Sequence, residues 1–136
     1  MSRFTIAAIA AAALSMSACG DNSPTTPTPT PPASVTDTFS GTLTRNGATT
    51  FPFNVSGVGT VYLTLTAVAD SSSTVGMSLG TWNANASCST ILSNDAAVQG
   101  SLISAAVTGV GQLCARLYDV GKAVTPVDYQ LTVVHP

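Results

Sequence analysis

Ser78 lies at the centre of the segment GMSLG, residues 76–80, where its neighbours raise the possibility of nucleophilic chemistry. A serine flanked in this way matches the G-x-S-x-G motif of serine hydrolases, and an aspartate followed by His135 continues the chain order that such enzymes use. The motif needs a strand that runs directly into a helix, whereas the apolar residues around Ser78 alternate as in an uninterrupted strand. We therefore expect Ser78 on the solvent face of a strand and His135 in solvent. A serine hydrolase that uses Ser78 is the alternative function.

Trp82 is the only tryptophan and stands beside Asn83 and Asn85. An exposed aromatic ring beside amides can stack on a sugar ring, because the ring face is apolar while the surrounding polar groups supply hydrogen bonds. In the other interpretation, the strand ends near Thr81 and Trp82 folds over the edge of the domain into the core, the environment that tryptophan usually has. The core interpretation is preferred, and the three residues stay candidate ligand-binding residues.

Tyr118 and Asp119 mark the place where another strand pattern ends in a turn, and we include them among the candidate ligand-binding residues. Asp119 could bind calcium together with Asp95 or Asp128 if the loops bring them together, since calcium takes several hard oxygen ligands. Because no D-x-D spacing is present, capping of the turn is the preferred role of Asp119. No metal site is predicted.

The chain has three cysteines, and Cys19 is assigned below to lipid modification at the end of an export signal. Cys88 and Cys114 are then left as an even pair, and an even pair in an exported chain predicts one disulfide. Two buried thiols are the alternative. A metal pair is less favoured, because the chain lacks C-x-x-C spacing and has a single histidine. Strand parity places Cys114 with Gln112 and Arg116, so the bridge should lie on the outer face or rim of a sheet.

The N-terminus has the pattern of an export signal. Arg3 precedes an apolar run at residues 4–14, which fits a secretory signal peptide and is too short to span a membrane. Residues 16–18, directly before Cys19, resemble the bacterial lipobox, with methionine where leucine is usual. The resemblance implies that residues 1–18 are removed and that Cys19 carries a diacylglycerol and an N-acyl chain such as palmitate. The alternative is an ordinary signal peptide cut at the same place, which leaves a free thiol.

The residues directly after Cys19 predict whether the lipoprotein stays at the inner membrane or moves to the outer membrane. In diderm bacteria, aspartate at the next position retains a lipoprotein at the inner membrane. Gly20 stands there in this chain and Asp21 comes one residue later. The prediction is therefore a lipid-anchored protein of the outer membrane.

Residues 19–34 follow as the lipid-modified cysteine and a linker rich in proline and threonine. Five of the chain's eight prolines lie in this segment, which has no large apolar residue. Such a composition predicts a disordered tether biased to polyproline II. At ~3.1 Å per residue, the fifteen residues 20–34 would reach roughly 45 Å from the lipid.

Residues 35–136 are the right length for one domain with a single core. Their charged residues are few: three cations and five aspartates, with no glutamate. The cations are Arg45, Arg116 and Lys122. They form no basic stripe, so the composition excludes nucleic acid as an expected partner.

Apolar and polar residues alternate along most of this domain, which is the pattern of half-buried strands. Seven such runs cover residues 39–43, 51–55, 61–65, 75–79, 103–107, 113–117 and 127–133, with a weaker eighth at 87–92. Turn signals separate them at Asn46–Gly47, 57–59, 70–73, Asn94–Asp95, 109–111 and Gly121. The sequence therefore predicts an all-β, antiparallel two-sheet β-sandwich of seven or eight strands. Pro52 lacks an amide donor, so its strand should be an edge strand or bulged.

Two long stretches carry a family resemblance. FSGTLTRNGATTFPFNVSGVGTVYLTL (residues 39–65) and GQLCARLYDVGKAVTPVDYQLTV (residues 111–133) resemble the bacterial pre-peptidase C-terminal (PPC) domain. The resemblance implies a jelly-roll-like β-sandwich of a kind often appended to secreted peptidases. Family members tend to carry an acidic residue before the aromatic pair of the second strand, and some bind calcium. Thr50 stands at that position here, with Thr49 before it, so a calcium site does not carry over.

These observations together predict a non-catalytic lipoprotein of the cell envelope that acts as a binding or structural module. The expected partners are the membrane, through the lipid anchor, and a glycan or an envelope protein. No cofactor besides the covalent lipid is expected, and the protein is not expected to be an enzyme.

Overall fold

The computed structural model describes Thr28, Thr30 and residues 32–136. The predicted signal peptide, Cys19 and most of the linker lie outside these residues. Residues 32–34, the end of the predicted linker, have no regular secondary structure. No helix long and apolar enough to cross a membrane occurs in the part of the chain that is described.

Eight strands form the regular structure of the described residues, so the weak eighth run is a real strand and the all-β prediction is confirmed. The strands are β1 (Val35–Leu43), β2 (Ala48–Val55), β3 (Val58–Val68), β4 (Val75–Asn83), β5 (Ser87–Ala97), β6 (Leu102–Thr108), β7 (Gly111–Tyr118) and β8 (Val127–His135).

The strands form two four-stranded sheets in which every pair is antiparallel. Sheet A has the order β1-β8-β3-β6 and sheet B the order β2-β7-β4-β5. Every connection crosses from one sheet to the other except the β4–β5 hairpin, and this is the strand order of a jelly roll. Pro52 lies in β2, an edge strand of sheet B, as its missing amide predicts.

The core lies between the sheets and takes the inward-facing residues of both, because side chains alternate along each strand. Phe39 of sheet A stacks on Phe51 of sheet B with ring centroids 4.6 Å apart. Residues with at most 1% exposure include Leu43, Val61, Leu63, Leu65, Met77, Ala97, Ala115, Leu117, Leu131 and Val133.

The strand directions give the sandwich two distinct ends. We call the end where β1 begins the entry end; β8 ends there, and the β2–β3 and β6–β7 connections lie there too. The other four connections between sheets, β1–β2, β3–β4, β5–β6 and β7–β8, lie at the opposite end.

Most predicted turns are turns, with one exception. Asn46 takes a left-handed φ of +54°, which asparagine tolerates. Asn94 and Asp95, however, lie within β5, where the pairing with β4 shifts between Val75 and Met77. The turn prediction there is wrong, because an edge strand absorbs the extra residue as a bulge instead of ending.

His135 corrects a second expectation, since it is 4% exposed and belongs to β8. Its Nε2 lies 3.1 Å from Oδ2 of Asp37, and its ring centroid is 5.1 Å from that of Phe53. The Pro136 carbonyl accepts a hydrogen bond from the Ser56 amide at 2.9 Å. The end of the chain is therefore built into the sandwich, and a partner from β1 satisfies the buried imidazole.

Candidate functional site

The β4–β5 hairpin folds back over the outer face of sheet B. The pairing of β4 with β5 shifts between Leu79 and Gly80, and a bulge of this kind bends both strands. At the bend the backbone carbonyl of Ser89 lies so close to Gly80 that any Cβ there would overlap it. Gly80 is therefore required for the close approach of two backbones.

A disulfide fixes this arrangement. It joins Cys88 of β5 to Cys114 of β7, although β4 lies between these strands in the sheet. The two Cα atoms are 5.9 Å apart because the hairpin has folded over. The predicted pairing and its place on the outer face are confirmed, and the alternatives of two free thiols or a metal pair are wrong.

Trp82 forms a wall of the open hollow that this fold-over creates. Strand β4 continues through Asn83, so it does not end at Thr81, and Trp82 stays partly exposed and outside the core cluster. The interpretation of Trp82 as a core residue is therefore wrong. The hollow, which we call the Trp82 hollow, has a volume of about 310 Å³. It is lined by Ala48, Thr50, Trp82, Ala86, Ser87, Cys88 and Arg116.

Among the described residues that line the Trp82 hollow, Arg116 is the only charged one. It lies opposite Thr50 on β2 and Ser78 on β4, and its Cζ atom is 5.4 Å from the ring centroid of Tyr118. No carboxylate lies within 4.0 Å of its guanidinium among the described residues. The hollow thus combines an aromatic face, two hydroxyls and an unneutralised guanidinium, a set that can stack on a ring and bind an anionic group.

The other predicted ligand residues lie elsewhere. Asn83 donates a hydrogen bond from Nδ2 to Oγ of Ser89 at 2.7 Å and so stabilises the hairpin. Asn85 is exposed in the hairpin turn. Sequence reasoning missed Arg116 as a site residue, although its shared parity with Cys114 already placed it on the same face.

Tyr118 covers the outer face of sheet B on the side of β4 and β5, away from β2. Its ring fills the space where a side chain on Gly76 would stand, and its hydroxyl donates a hydrogen bond to Oδ1 of Asp95. Burial raises the pKa of Tyr118 above its usual value, and the hydrogen bond and negative charge of Asp95 add to the effect. Tyr118 is thus engaged in packing within its own sheet.

Asp119 caps the β7–β8 turn, as its preferred interpretation predicts. Its carboxylate accepts backbone hydrogen bonds from Asn46 at 2.8 Å, Lys122 at 2.9 Å, and Gly121 and Ala123 at 3.0 Å each. These bonds, that from Asn46 first, hold the pKa of Asp119 below its usual value. Three or more metal-ligating side chains do not cluster anywhere in the described residues.

The Asp119 cap predicts a component of acid sensitivity. Its stabilising effect is full above the unfolded-state pKa of about 3.9 and is lost as the pH falls through that value toward the lower folded-state pKa. Asp119→Asn should therefore lower the melting temperature at pH 7 and flatten its fall between pH 5 and pH 2, roughly the range over which such a carboxylate titrates. Thermal unfolding followed by circular dichroism measures both. Equal acid sensitivity of the two proteins would contradict this role.

Ser78 and His135 are not brought together. Ser78 is on the outer face of sheet B as parity predicts, but it is 1% exposed instead of facing solvent, and its Oγ has no hydrogen-bond partner among the residues that the structure describes. The flanking strands place Arg116 and Ser93 opposite it, and the folded hairpin and the Tyr118 ring cover its neighbours Gly80 and Gly76. His135 lies in sheet A and faces the core. The hydrolase motif therefore has neither an accessible serine nor a base beside it.

No protein-family model matches this chain, and no curated protein matches it in sequence. The resemblance to the pre-peptidase C-terminal domain therefore stays a prediction, and the functional argument depends on the geometry of the Trp82 hollow.

Proposed function

We propose that the protein is a non-catalytic, lipid-anchored module of the cell envelope that binds a glycan in the Trp82 hollow. The observation that carries the proposal is the position of Trp82, which leaves the core and forms a wall of an open hollow of about 310 Å³. A sugar ring presents an apolar face that can stack on the indole and hydroxyls that can bond to Thr50 and Ser87. The disulfide holds the hairpin wall in place before any ligand binds, which reduces the entropy lost on binding.

Arg116 directs the proposed preference toward acidic sugars. Arg116 lines the hollow, and no carboxylate of the described residues lies within 4.0 Å of its guanidinium. A planar guanidinium can bind a sugar carboxylate through two parallel hydrogen bonds. A cation–π contact with the Tyr118 ring, whose centroid is 5.4 Å from Cζ, favours one orientation of the guanidinium. A uronic acid stacked on Trp82 would engage both groups at once.

The anchoring part of the proposal depends on the sequence around Cys19. The apolar run at residues 4–14 and the residues before Cys19 support lipid modification at that cysteine. Because acylation by two or three chains anchors a protein far more firmly than one chain, the modified protein would stay at the membrane while its domain samples nearby envelope glycans. The separation of Ser78 from His135 supports the non-catalytic part.

Calorimetric titration of the purified lipoprotein with trigalacturonate and with chitotriose tests the proposed ligand class. We expect trigalacturonate to bind more tightly than chitotriose, by roughly 1.5–3 kcal/mol, the usual contribution of hydrogen bonds to a charged group. Trp82→Ala should weaken the binding of both sugars at least tenfold, and Arg116→Gln should remove the preference for the acidic sugar. Tyr62→Ala and Arg45→Gln are matched controls, because Tyr62 is an exposed aromatic residue of sheet A and Arg45 lies in an exposed turn. Affinities unchanged in Trp82→Ala, or binding of neither sugar, would contradict the proposal.

A further inference from the structure

Charge is distributed unequally between the two ends of the sandwich. The sequence has ten charged side chains, of which Arg3 and Asp21 lie outside the described residues. Of the other eight, only Asp37 lies near the entry end, and its Oδ2 is 3.1 Å from Nε2 of His135. The remaining seven lie in the opposite half: Arg45, Asp70, Asp95, Arg116, Asp119, Lys122 and Asp128.

Large apolar side chains are exposed at both ends, since Val124 at the opposite end is 91% exposed, but those at the entry end lie away from the seven charged residues named above. Val110 in the β6–β7 connection is 79% exposed, Val58 at the start of β3 is 64% exposed, and Ile91 at the hairpin bend is 64% exposed. Ile91 and Val110 line one open hollow of about 370 Å³ between the hairpin bend and the β6–β7 connection. An exposed group of large apolar residues without neighbouring charge is the usual mark of a contact surface.

The chain also enters the domain at this end. Pro32 packs beside Gly57 in the β2–β3 connection, with its Cγ 3.1 Å from the point where a Cβ on Gly57 would stand. Cys19 precedes Pro32 by thirteen residues of the printed sequence. Even fully extended, a segment of that length spans roughly 45 Å, so a lipid on Cys19 would keep the entry end within that distance of the bilayer.

We propose that the entry end of the sandwich rests on the lipid bilayer surface, with Val58, Ile91 and Val110 at the level of the headgroups. The described loops at this end carry no charge, so the contact avoids the high cost of moving charged groups out of water. Tethering makes the contact intramolecular, so that three apolar side chains are sufficient where a free domain would not bind. The Trp82 hollow lies over β7 and β2 on the flank and stays open to solvent in this orientation.

The inference rests on the proposed lipid anchor at Cys19, and its test separates the two. The full lipoprotein, with Trp82→Phe to remove the native signal, is reconstituted in phosphatidylcholine vesicles with brominated acyl chains. We expect Val110→Trp or Val58→Trp to lose at least half of its fluorescence relative to unbrominated vesicles. The matched control is Val124→Trp, which replaces a valine that is 91% exposed at the opposite end and should keep its fluorescence.

Each other outcome overturns the inference in a recognisable way. Failure of the chain to float with the vesicles would overturn the anchor and the contact together, with the Cys19→Ser chain as the non-floating reference. If the chain floats with the vesicles but Val110→Trp and Val124→Trp lose equal fractions of their fluorescence to brominated lipid, the anchor is supported and the contact is overturned. Protection of Val110→Trp from acrylamide without quenching by brominated lipid would show that a second copy of the chain covers this end instead.

Discussion

Gly80→Ala is expected to lift the β4–β5 hairpin from the outer face of sheet B and to destabilise the protein strongly. The new Cβ would overlap the Ser89 carbonyl, which belongs to backbone and cannot rotate away. Overpacking of this kind costs about 1–3 kcal/mol when the surroundings can adjust. If the displaced hairpin keeps Cys88 too far from Cys114 for the disulfide to form during folding, the stabilisation from the disulfide, roughly 3–4 kcal/mol, is absent as well.

Urea unfolding of the purified protein, together with a count of reactive thiols, measures both effects. Gly111→Ala is the matched control, since a Cβ at Gly111 would meet nothing within 4 Å and its backbone needs no left-handed φ. That variant should be as stable as the wild type or slightly more stable, because alanine restricts the unfolded chain. Equal urea midpoints for Gly80→Ala and Gly111→Ala would show that the hairpin does not approach β4 in this way.

The double substitution Cys88→Ser with Cys114→Ser is expected to lower the free energy of unfolding by about 3–4 kcal/mol. The two cysteines are 26 residues apart, and the estimate follows from the loop entropy that the bridge removes from the unfolded chain. A second effect is local: without the bridge, the hairpin wall of the Trp82 hollow can open. Trp82 should then emit at longer wavelength and become more accessible to acrylamide in the folded protein.

Reduction of the wild type with dithiothreitol gives an independent version of the same experiment, because it breaks the bridge without changing the sequence. The reduced wild type and the double variant should unfold at similar urea concentrations and bind trigalacturonate more weakly than the oxidised protein. Full affinity in the double variant would mean that the hollow does not depend on the bridge, contrary to the arrangement described above.

Alternation of apolar and polar residues was sufficient to predict the sandwich, because each inward-facing set buries against the facing sheet. The alternation at residues 87–92 is weak because β5 is an edge strand whose residues are mostly exposed. Its composition was therefore less apolar, and its asparagine and aspartate were mistaken for a turn. Pro52 was assigned correctly because the missing amide donor is a property of the residue itself.

The candidate site was less predictable because it depends on a contact between distant parts of the chain. Parity put Ser78 and Cys114 on the outer face, but parity does not show whether that face meets water. The hairpin that folds at Gly80 and the ring of Tyr118 cover the face near Ser78 and leave the hollow at Trp82. His135 was misplaced for a similar reason, since its partner Asp37 lies 98 residues earlier in the sequence.

The most direct test of the proposed function is acrylamide quenching of Trp82 in the intact protein, with and without saturating trigalacturonate. Trp82 is the only tryptophan, so the signal reports on the hollow alone. We predict that acrylamide reaches Trp82 in the free protein and that the quenching constant falls at least twofold when the sugar is bound, roughly as expected when a ligand buries most of an indole face. A quenching constant that trigalacturonate leaves unchanged would contradict the proposal that the Trp82 hollow is a glycan-binding site.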